Sequence, residues 1–409
     1  MNKRIFFVIF LSVYSLTTVA QYSKGLQFFE NGYYQQSIPY FKKDLNGKNK
    51  EKSLEKLAQA LFKTRNFIEA ESYYQQLIQI SNIDPQNYLQ YGQILLALGK
   101  INEAQAQFKT YTKLNPSDKR GELLVKACKE ILKNKFQDEK EYTVTEVKSI
   151  NTQYNEYCPV IHPKGIIYCS DKPHNYDYSA GTSFSIVKTN ICLSEKTKNS
   201  NDSLQFNIPK AFGPEISKGQ YNGPISFNSD YSLIAFNLVE EKSKNKTNKN
   251  TAKIYFAESK GHNWFNITSF PFNSNEYSCL HPALSPDGNT LVFASNMPDS
   301  YGDFDLYVSY KINSEWTKPQ NLGNTINTPF NEVFPYISQS GTLYFSSNGH
   351  NSIGGLDIYY AEKDGKIWTN PINAGKTLNS TYDDFGITLN NTETSGFFSS
   401  NRKEGKSND

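Results

Sequence analysis

NEYSCLHPALSPDGNTLVFASNMPDSYGDFDLYVSY, from Asn275 to Tyr310, decides the reading of this chain, because its pattern recurs through the whole second half. Asn331 to Tyr360 restates it as NEVFPYISQSGTLYFSSNGHNSIGGLDIYY, and Asp383 opens it again as DDFGITLNNTETSGFFSSN. Two fainter copies precede these, NEYCPVIHPKGIIYCSD from Asn155 and NGPISFNSDYSLIAFN from Asn222. Starts at 155, 222, 275, 331 and 383 give spacings of 67, 53, 56 and 52 residues. A repeat of that size with several short strands per copy points to propeller blades.

Within the copy from Asn275, Ala283 to Ser285 reads as a short strand and Pro286-Asp287-Gly288 as a turn. Thr290 to Ser295 is apolar on both faces, as a strand covered by neighbours on each side must be. A Gly/Asp loop, a strand over Asp305 to Tyr310, a turn at Asn313-Ser314 and a last strand leaving Trp316 complete a four-stranded unit. Such a sheet exposes apolar faces that only another sheet can bury, so the copies are expected to stack radially. The fold class is therefore an α-solenoid followed by an all-β propeller of five blades, the last incomplete.

The solenoid is read from Tyr22 to about Phe136. Ser37, Ala70 and Ala104 are spaced by 33 and 34 residues, the period of the tetratricopeptide repeat. From Pro85 to Pro116 the chain places Tyr88, Tyr91, Gly92, Leu95, Gly99, Ala104, Phe108 and Tyr111 where that repeat places its aromatic and small residues. Gly92 and Ala104 allow close helix approach, and Phe108 and Tyr111 fill the space between repeats. Stacks of this kind hold a partner segment on the surface made by the first helix of each repeat. The outward positions there are Lys52, Glu55, Gln59, Lys63, Gln86, Gln93 and Leu96. They are the candidate partner-binding residues, though each is also an ordinary exposed helix position.

The junction between the two regions carries its own signal. INTQYNE from Ile150 nearly repeats INTPFNE from Ile326, and LNSTYDD from Leu378 is a third version. In the later copies the heptad follows an outermost strand. Tyr142 to Val147 (YTVTEV) is accordingly expected to be an outermost strand, pairing in the blade begun at Asp383 and closing the ring. At the N-terminus, Met1 to Arg4, an apolar run from Ile5 and Thr18-Val19-Ala20 make an export signal cleaved after Ala20. The expected domains are residues 1–20 (signal peptide), 21–137 (solenoid) and 138–409 (propeller). Arg402 to Asp409 stops where earlier copies continue as DLYVSY or DIYYAE, so the last blade is expected to lack its third strand.

Composition excludes several functions. With 43 Lys and Arg against 40 Asp and Glu, the net charge of +3 selects no polyanion, and the lysines of Glu240 to Lys253 read as a solvated loop. His162, His174, His262, His281 and His350 fall at different repeat positions without an HExxH motif, and GxSxG is absent. No catalytic residue, cofactor or metal ligand is assigned. Asp299, Asp303 and Asp305 offer oxygens to calcium, but Asp305 and Asp357 are better read as acceptors for backbone groups where third strands begin. Tyr157, Tyr277, Phe330 and Phe334 serve either sugar stacking or filling between blades, the latter being simpler. Cys158 and Cys169 flank a hairpin and are placed to face each other, or are buried thiols.

An export signal, tetratricopeptide repeats and a WD40-like, TolB-type propeller with SPDG, FSSN and GGLDIY signatures resemble the OmpA-family envelope proteins of the Bacteroidota, of the PorE-like kind found in type IX secretion. The resemblance implies a non-enzymatic periplasmic scaffold associated with an outer-membrane protein of the PorP/SprF type, in secretion or gliding machinery. It also implies peptidoglycan binding through a C-terminal domain, which no residue of this sequence supplies. The alternatives are a periplasmic glycan or peptide receptor using the propeller channel, and an accessory subunit of an envelope hydrolase. Aromatics and carboxylates lining the channel would favour the receptor, and apolar closure the scaffold.

Overall fold

The computed structural model describes residues 21–133, 142–172, 189–197, 205–217, 221–239, 251–260, 263–365 and 367–402. The export signal, His174, His262, nearly all of the lysine-rich insertion and residues 403–409 lie outside them. The chain divides into two compact units, Met1–Leu132 and Lys133–Asp409.

The first unit is a stack of helices: α1 (helical over 21–30), α2 (Tyr34–Asp44), α3 (Lys50–Lys63), α4 (Phe67–Leu77), α5 (Gln86–Ala97), α6 (Ile101–Leu114) and α7 (Arg120–Leu132). In α3 the buried side chains Leu54, Leu57, Ala58 and Leu61 follow helical spacing, with Glu51 in the first turn and Lys63 in the last to suit the helix dipole. The repeat period is also written in the backbone. Helices α1, α3 and α5 end on left-handed residues Gly32, Arg65 and Gly99, with φ of 80°, 58° and 74°. In each, two amides return to the last turn. After α5, Lys100 N–H donates to Leu95 O at 2.8 Å and Gly99 N–H to Leu96 O at 2.9 Å, satisfying carbonyls the helix leaves open. Gly92 packs flat on Phe108: a Cβ there would lie 2.3 Å from the ring.

The second unit is all-β, a propeller-like arrangement of four blades. The first is β1 (Glu156–His162), β2 (Gly165–Ser170), β3 (Asn190–Glu195) and β4 (Lys210–Ala211); the second is β5 (Tyr221–Phe227), β6 (Leu233–Val239), β7 (Lys253–Lys260) and β8 (Asn263–Ser269). In the third, β9 (Cys279–Leu284), β10 (Thr290–Ser295) and β11 (Asp305–Ile312) pair in order, and both β12 (Glu315–Trp316) and β13 (Gln320–Asn321) pair β11. The fourth runs β14 (Glu332–Ile337), β15 (Leu343–Ser347), β16 (Asp357–Ala361), then β19 (Ile372–Asn373), with β17 (Lys363–Asp364) and β18 (Ile367–Trp368) as a separate hairpin. A two-stranded sheet, β20 (Asp384–Leu389) and β21 (Gly396–Ser400), follows.

Apolar layers join successive sheets. Ile167 and Ile191 meet Ile225 and Phe236 between the first and second blades, and Phe256 meets Phe293 between the second and third. Val292 and Val308 meet Phe345 and Tyr359 between the third and fourth. The last sheet closes the circle, with Ile387 against Ile358 of the fourth blade and Phe385 against Cys158 and Cys169 of the first. Trp264 lies in the outer strand of the second blade, Trp316 in β12 and Trp368 in the separate hairpin, and Trp316 stacks on Phe256 of the preceding blade at 5.1 Å.

Two strand expectations change. The strand read at Ala283 to Ser285 runs instead from Cys279 to Leu284, and the bulge at His281 within it breaks the alternation that would have shown its first half in the sequence. Tyr142 to Val147 forms no strand: it is largely exposed and pairs in no sheet among the described residues. A fourth strand needs a third to pair with, and β21 has no third-strand partner among the described residues.

Candidate functional site

On the solenoid, Lys52 and Lys63 are exposed and Glu55, Gln59, Gln86 and Gln93 are half-buried. Leu96 corrects the expectation: at 1% exposure it belongs to the core, because α5 buries Leu89, Ile94, Leu95, Leu96 and Ala97 against helices on more than one side. The structure brings Glu55 and Gln59 together through Asn87, a residue the sequence reading missed. Asn87 Nδ2 donates to Glu55 Oε1 at 2.9 Å, and Gln59 Nε2 donates to Asn87 Oδ1 at 3.4 Å. Gln86 is held differently, its Oε1 accepting from Arg120 Nη2 at 3.1 Å. Burial opposes charge on Asp118, but hydrogen bonds from Arg120 and Tyr111 prevail and hold its carboxyl down at about 2. Tyr74 OH donates to Gln90 Oε1 at 2.5 Å. Gln59, Gln86, Asn87 and Gln90 are thus tied to neighbouring side chains, and Asn87 is fully buried.

In the propeller, the innermost strand of every sheet bulges at a left-handed residue: Cys158, Gly223, His281, Phe334 and Gly386, with φ of 53°, 83°, 51°, 51° and 63°. A bulge leaves an N–H outside its own ladder, and the preceding sheet supplies acceptors. Ser399 Oγ accepts from Cys158 N–H at 2.9 Å, Asn237 Oδ1 from His281 N–H at 2.6 Å, and His281 Nδ1 from Phe334 N–H at 3.3 Å. Burial lowers the His281 pKa to about 3, so the ring is neutral at any physiological pH and free to accept on Nδ1. The residues after the five bulges, Pro159, Pro224, Pro282, Pro335 and Ile387, line a central cavity of about 120 Å³. Its remaining polar lining is the His281 ring with hydroxyls and amides such as Asn228, Gln339 and Asn390, with no Asp, Glu, Lys or Arg among the described residues. Phe334 stacks on His281 at 3.8 Å and meets Phe385 at 4.8 Å, while Phe330 is buried and Tyr277 OH donates to Phe272 O. Phe330 is packed within the sheets, whereas Phe334 also lines the cavity, together with Phe227, Tyr231 and Tyr336.

The recurring carboxylates are knots of the backbone. Asp305 accepts from Tyr301 N–H (2.7 Å), Gly302 N–H (3.0 Å) and Asn321 Nδ2 (2.7 Å). Asp357 repeats this with Ile353, Gly354 and Asn373. Their oxygens are thus engaged at the head of the third strand, as the sequence reading of these two residues required. In the heptads, Thr152 donates to Glu156, Thr328 to Glu332 and Ser380 to Asp384, each through both N–H and hydroxyl, and Ser170, Ser347 and Ser400 close the other side. Burial pushes the Glu332 carboxyl up to about 8, against the hydrogen bonds from Ser347 and Thr328, which favour its charge. All five cysteines are free and buried, and burial pushes the Cys128 thiol up to about 12.

A model of the tetratricopeptide repeat matches residues 61–128. No curated protein matches the chain. Among solved structures, the first tetratricopeptide domain of human RPAP3 is 21% identical, covering 29% of this chain and 94% of its own, with a TM-score of 0.26. The Yersinia enterocolitica type III secretion chaperone SycD, in complex with a peptide of the translocator YopD, is 18% identical over 30% of this chain and 98% of its own, TM-score 0.27. PcrH from Pseudomonas aeruginosa is 15% identical over 29% and 90%, TM-score 0.24.

Proposed function

We propose that this chain is a non-enzymatic scaffold of the periplasm, attached to the outer membrane through a PorP/SprF-type protein and working in type IX secretion or gliding. It holds partner segments on the solenoid face that carries Lys52, Glu55, Gln59, Lys63, Gln86 and Gln93. The observation that carries the reading is the tetratricopeptide match over residues 61–128 together with the half-buried amides of Gln59, Gln86 and Gln93 on α3 and α5. In the same reading β20–β21 belongs to a fifth blade. The receptor alternative draws little support from the cavity: at about 120 Å³ it falls below the roughly 300 Å³ of small-ligand sites.

The test is mild crosslinking in cells, purification from the envelope and mass spectrometry. The proposal expects a new N-terminus at Gln21 and crosslinks from Lys52 or Lys63 to an outer-membrane barrel. Recovery from the cytoplasm with Met1 retained would overturn it. A Gln59→Glu, Gln86→Glu, Gln93→Glu variant should lose the partner while its melting temperature stays within a few degrees.

A further inference from the structure

The cavity among the inner strands has two unlike ends. At one, the turns that follow those strands meet: Ser229 N–H donates to Pro286 O at 2.8 Å, and Ser340 N–H to Glu393 Oε1 at 2.7 Å. Here the lining is polar, with Gln339 and Asn391 exposed. Asn228 and Asn390 also line it but hold their own turns, Asn228 Oδ1 accepting from Leu233 N–H at 2.9 Å and Asn390 Oδ1 from Thr394 N–H at 3.0 Å. At the other end lie the bulges, packed with side chains: Phe334 meets both His281, at 3.8 Å, and Phe385, at 4.8 Å. Pro159, Pro224, Pro282, Pro335 and Ile387 wall the space.

His281 presents a donor at the packed end. Its Nδ1 accepts from Phe334 N–H at 3.3 Å, which places the proton of the neutral ring on Nε2. The ring lines the cavity, and Nε2 has no acceptor among the described residues. A donor without an acceptor in apolar surroundings is costly. Water is a poor remedy, since a buried water needs about two to four polar partners and these walls are apolar. An organic group bearing one oxygen meets both demands. Size narrows the choice: an apolar cavity of roughly 150 Å³ takes benzene. The space here is about 120 Å³ and opens at its polar end.

We infer that the propeller cavity holds one neutral ring of about benzene's size, entering with a hydroxyl or carbonyl oxygen that accepts from His281 Nε2–H. No charged side chain lines the site among the described residues, so an ionised ring would lose its hydration and gain no counter-charge. Larger ligands stay excluded by volume. The inference goes beyond the scaffold reading and is independent of what the solenoid binds.

The experiment titrates the ¹⁵N-labelled chain with phenol, toluene and benzoate and follows the imidazole ¹H–¹⁵N signals of His281. Phenol should bind saturably and shift the Nε2 signal. Toluene has the same shape without the oxygen, and should bind about tenfold more weakly, the effect of one hydrogen bond. Benzoate should not compete. His281→Phe should reduce phenol to the affinity of toluene. Pro159→Phe, at a half-buried wall position, should fill the space and abolish both while leaving the melting temperature within a few degrees, so the test survives if His281→Phe does not fold. A Gly-Gly-Tyr-Gly-Gly peptide presents the same ring on a chain. Binding tighter than phenol, with shifts reaching Gln339 and Asn391, assigns the ring to a partner polypeptide, and tighter phenol assigns it to a free molecule. Equal affinity for phenol and toluene in the native chain, binding that persists in Pro159→Phe, preference for benzoate, or no saturable binding of phenol would overturn the inference.

Discussion

The solenoid and the propeller both stack a repeated unit, but they satisfy their backbones by different means. Helices pair their own N–H and C=O groups except at the ends, where Gly32, Arg65 and Gly99 complete the job, so polar side chains such as Gln59 and Gln86 bond to other side chains rather than to the backbone. Strands that bulge and loop leave amides in the interior, and the propeller answers with buried carboxylates at Asp305, Glu332, Asp357 and Asp384. A recurring acidic residue in the propeller is therefore architecture, holding backbone amides, whereas the solenoid needs no such acceptors. The lesson is that residue type alone does not mark a site: its hydrogen-bond partners do.

The largest test of that contrast is to break a knot. Glu332→Ala leaves Thr328 N–H and the Thr328 and Ser347 hydroxyls without their acceptor in a fully buried place, and should cost about 3–5 kcal/mol, read as a lower denaturation midpoint of the propeller alone. Glu332→Gln keeps an acceptor oxygen and should cost far less. The pH dependence sharpens this. With its folded pKa raised above the unfolded one, Glu332 binds its proton more tightly when folded. Its contribution is complete below about pH 4.5 and is lost as pH rises toward 8. Propeller melting should fall across that window in the native chain and flatten in Glu332→Gln.

Next in size is Gly92→Leu. A side chain driven into Phe108 should destabilise the solenoid by about 1–3 kcal/mol and leave the propeller transition in place, monitored by circular dichroism. Cys128 reports on it: its thiol should become reactive with the solenoid transition, and Cys158, Cys169, Cys192 and Cys279 with the propeller transition. The smallest expected effect is a gain. Arg65 occupies a left-handed position that Gly32 and Gly99 fill in the other repeats, so Arg65→Gly should stabilise the solenoid by about 0.5–1 kcal/mol in urea unfolding. No change, or a loss, would mean the Arg65 side chain contributes more than its backbone strain removes.

Much of the fold was legible because repetition shows itself without a third dimension. The 33- and 34-residue period of Ser37, Ala70 and Ala104 places paired helices, and the SPDG and DLY or DIY signatures place turns and third strands, since local backbone preference and burial of both faces leave few other options. Asp305 and Asp357 were readable as acceptors for the same reason. What the sequence hid depends on which elements touch. Leu96 sits at an outward position of its own repeat, and only the neighbouring helices bury it. Asn87, fully buried, comes to hold Glu55 and Gln59 only when α3 and α5 pack together. Tyr142 to Val147 has the composition of a strand, but a strand exists only where another chain segment pairs its amides, and that is a tertiary fact.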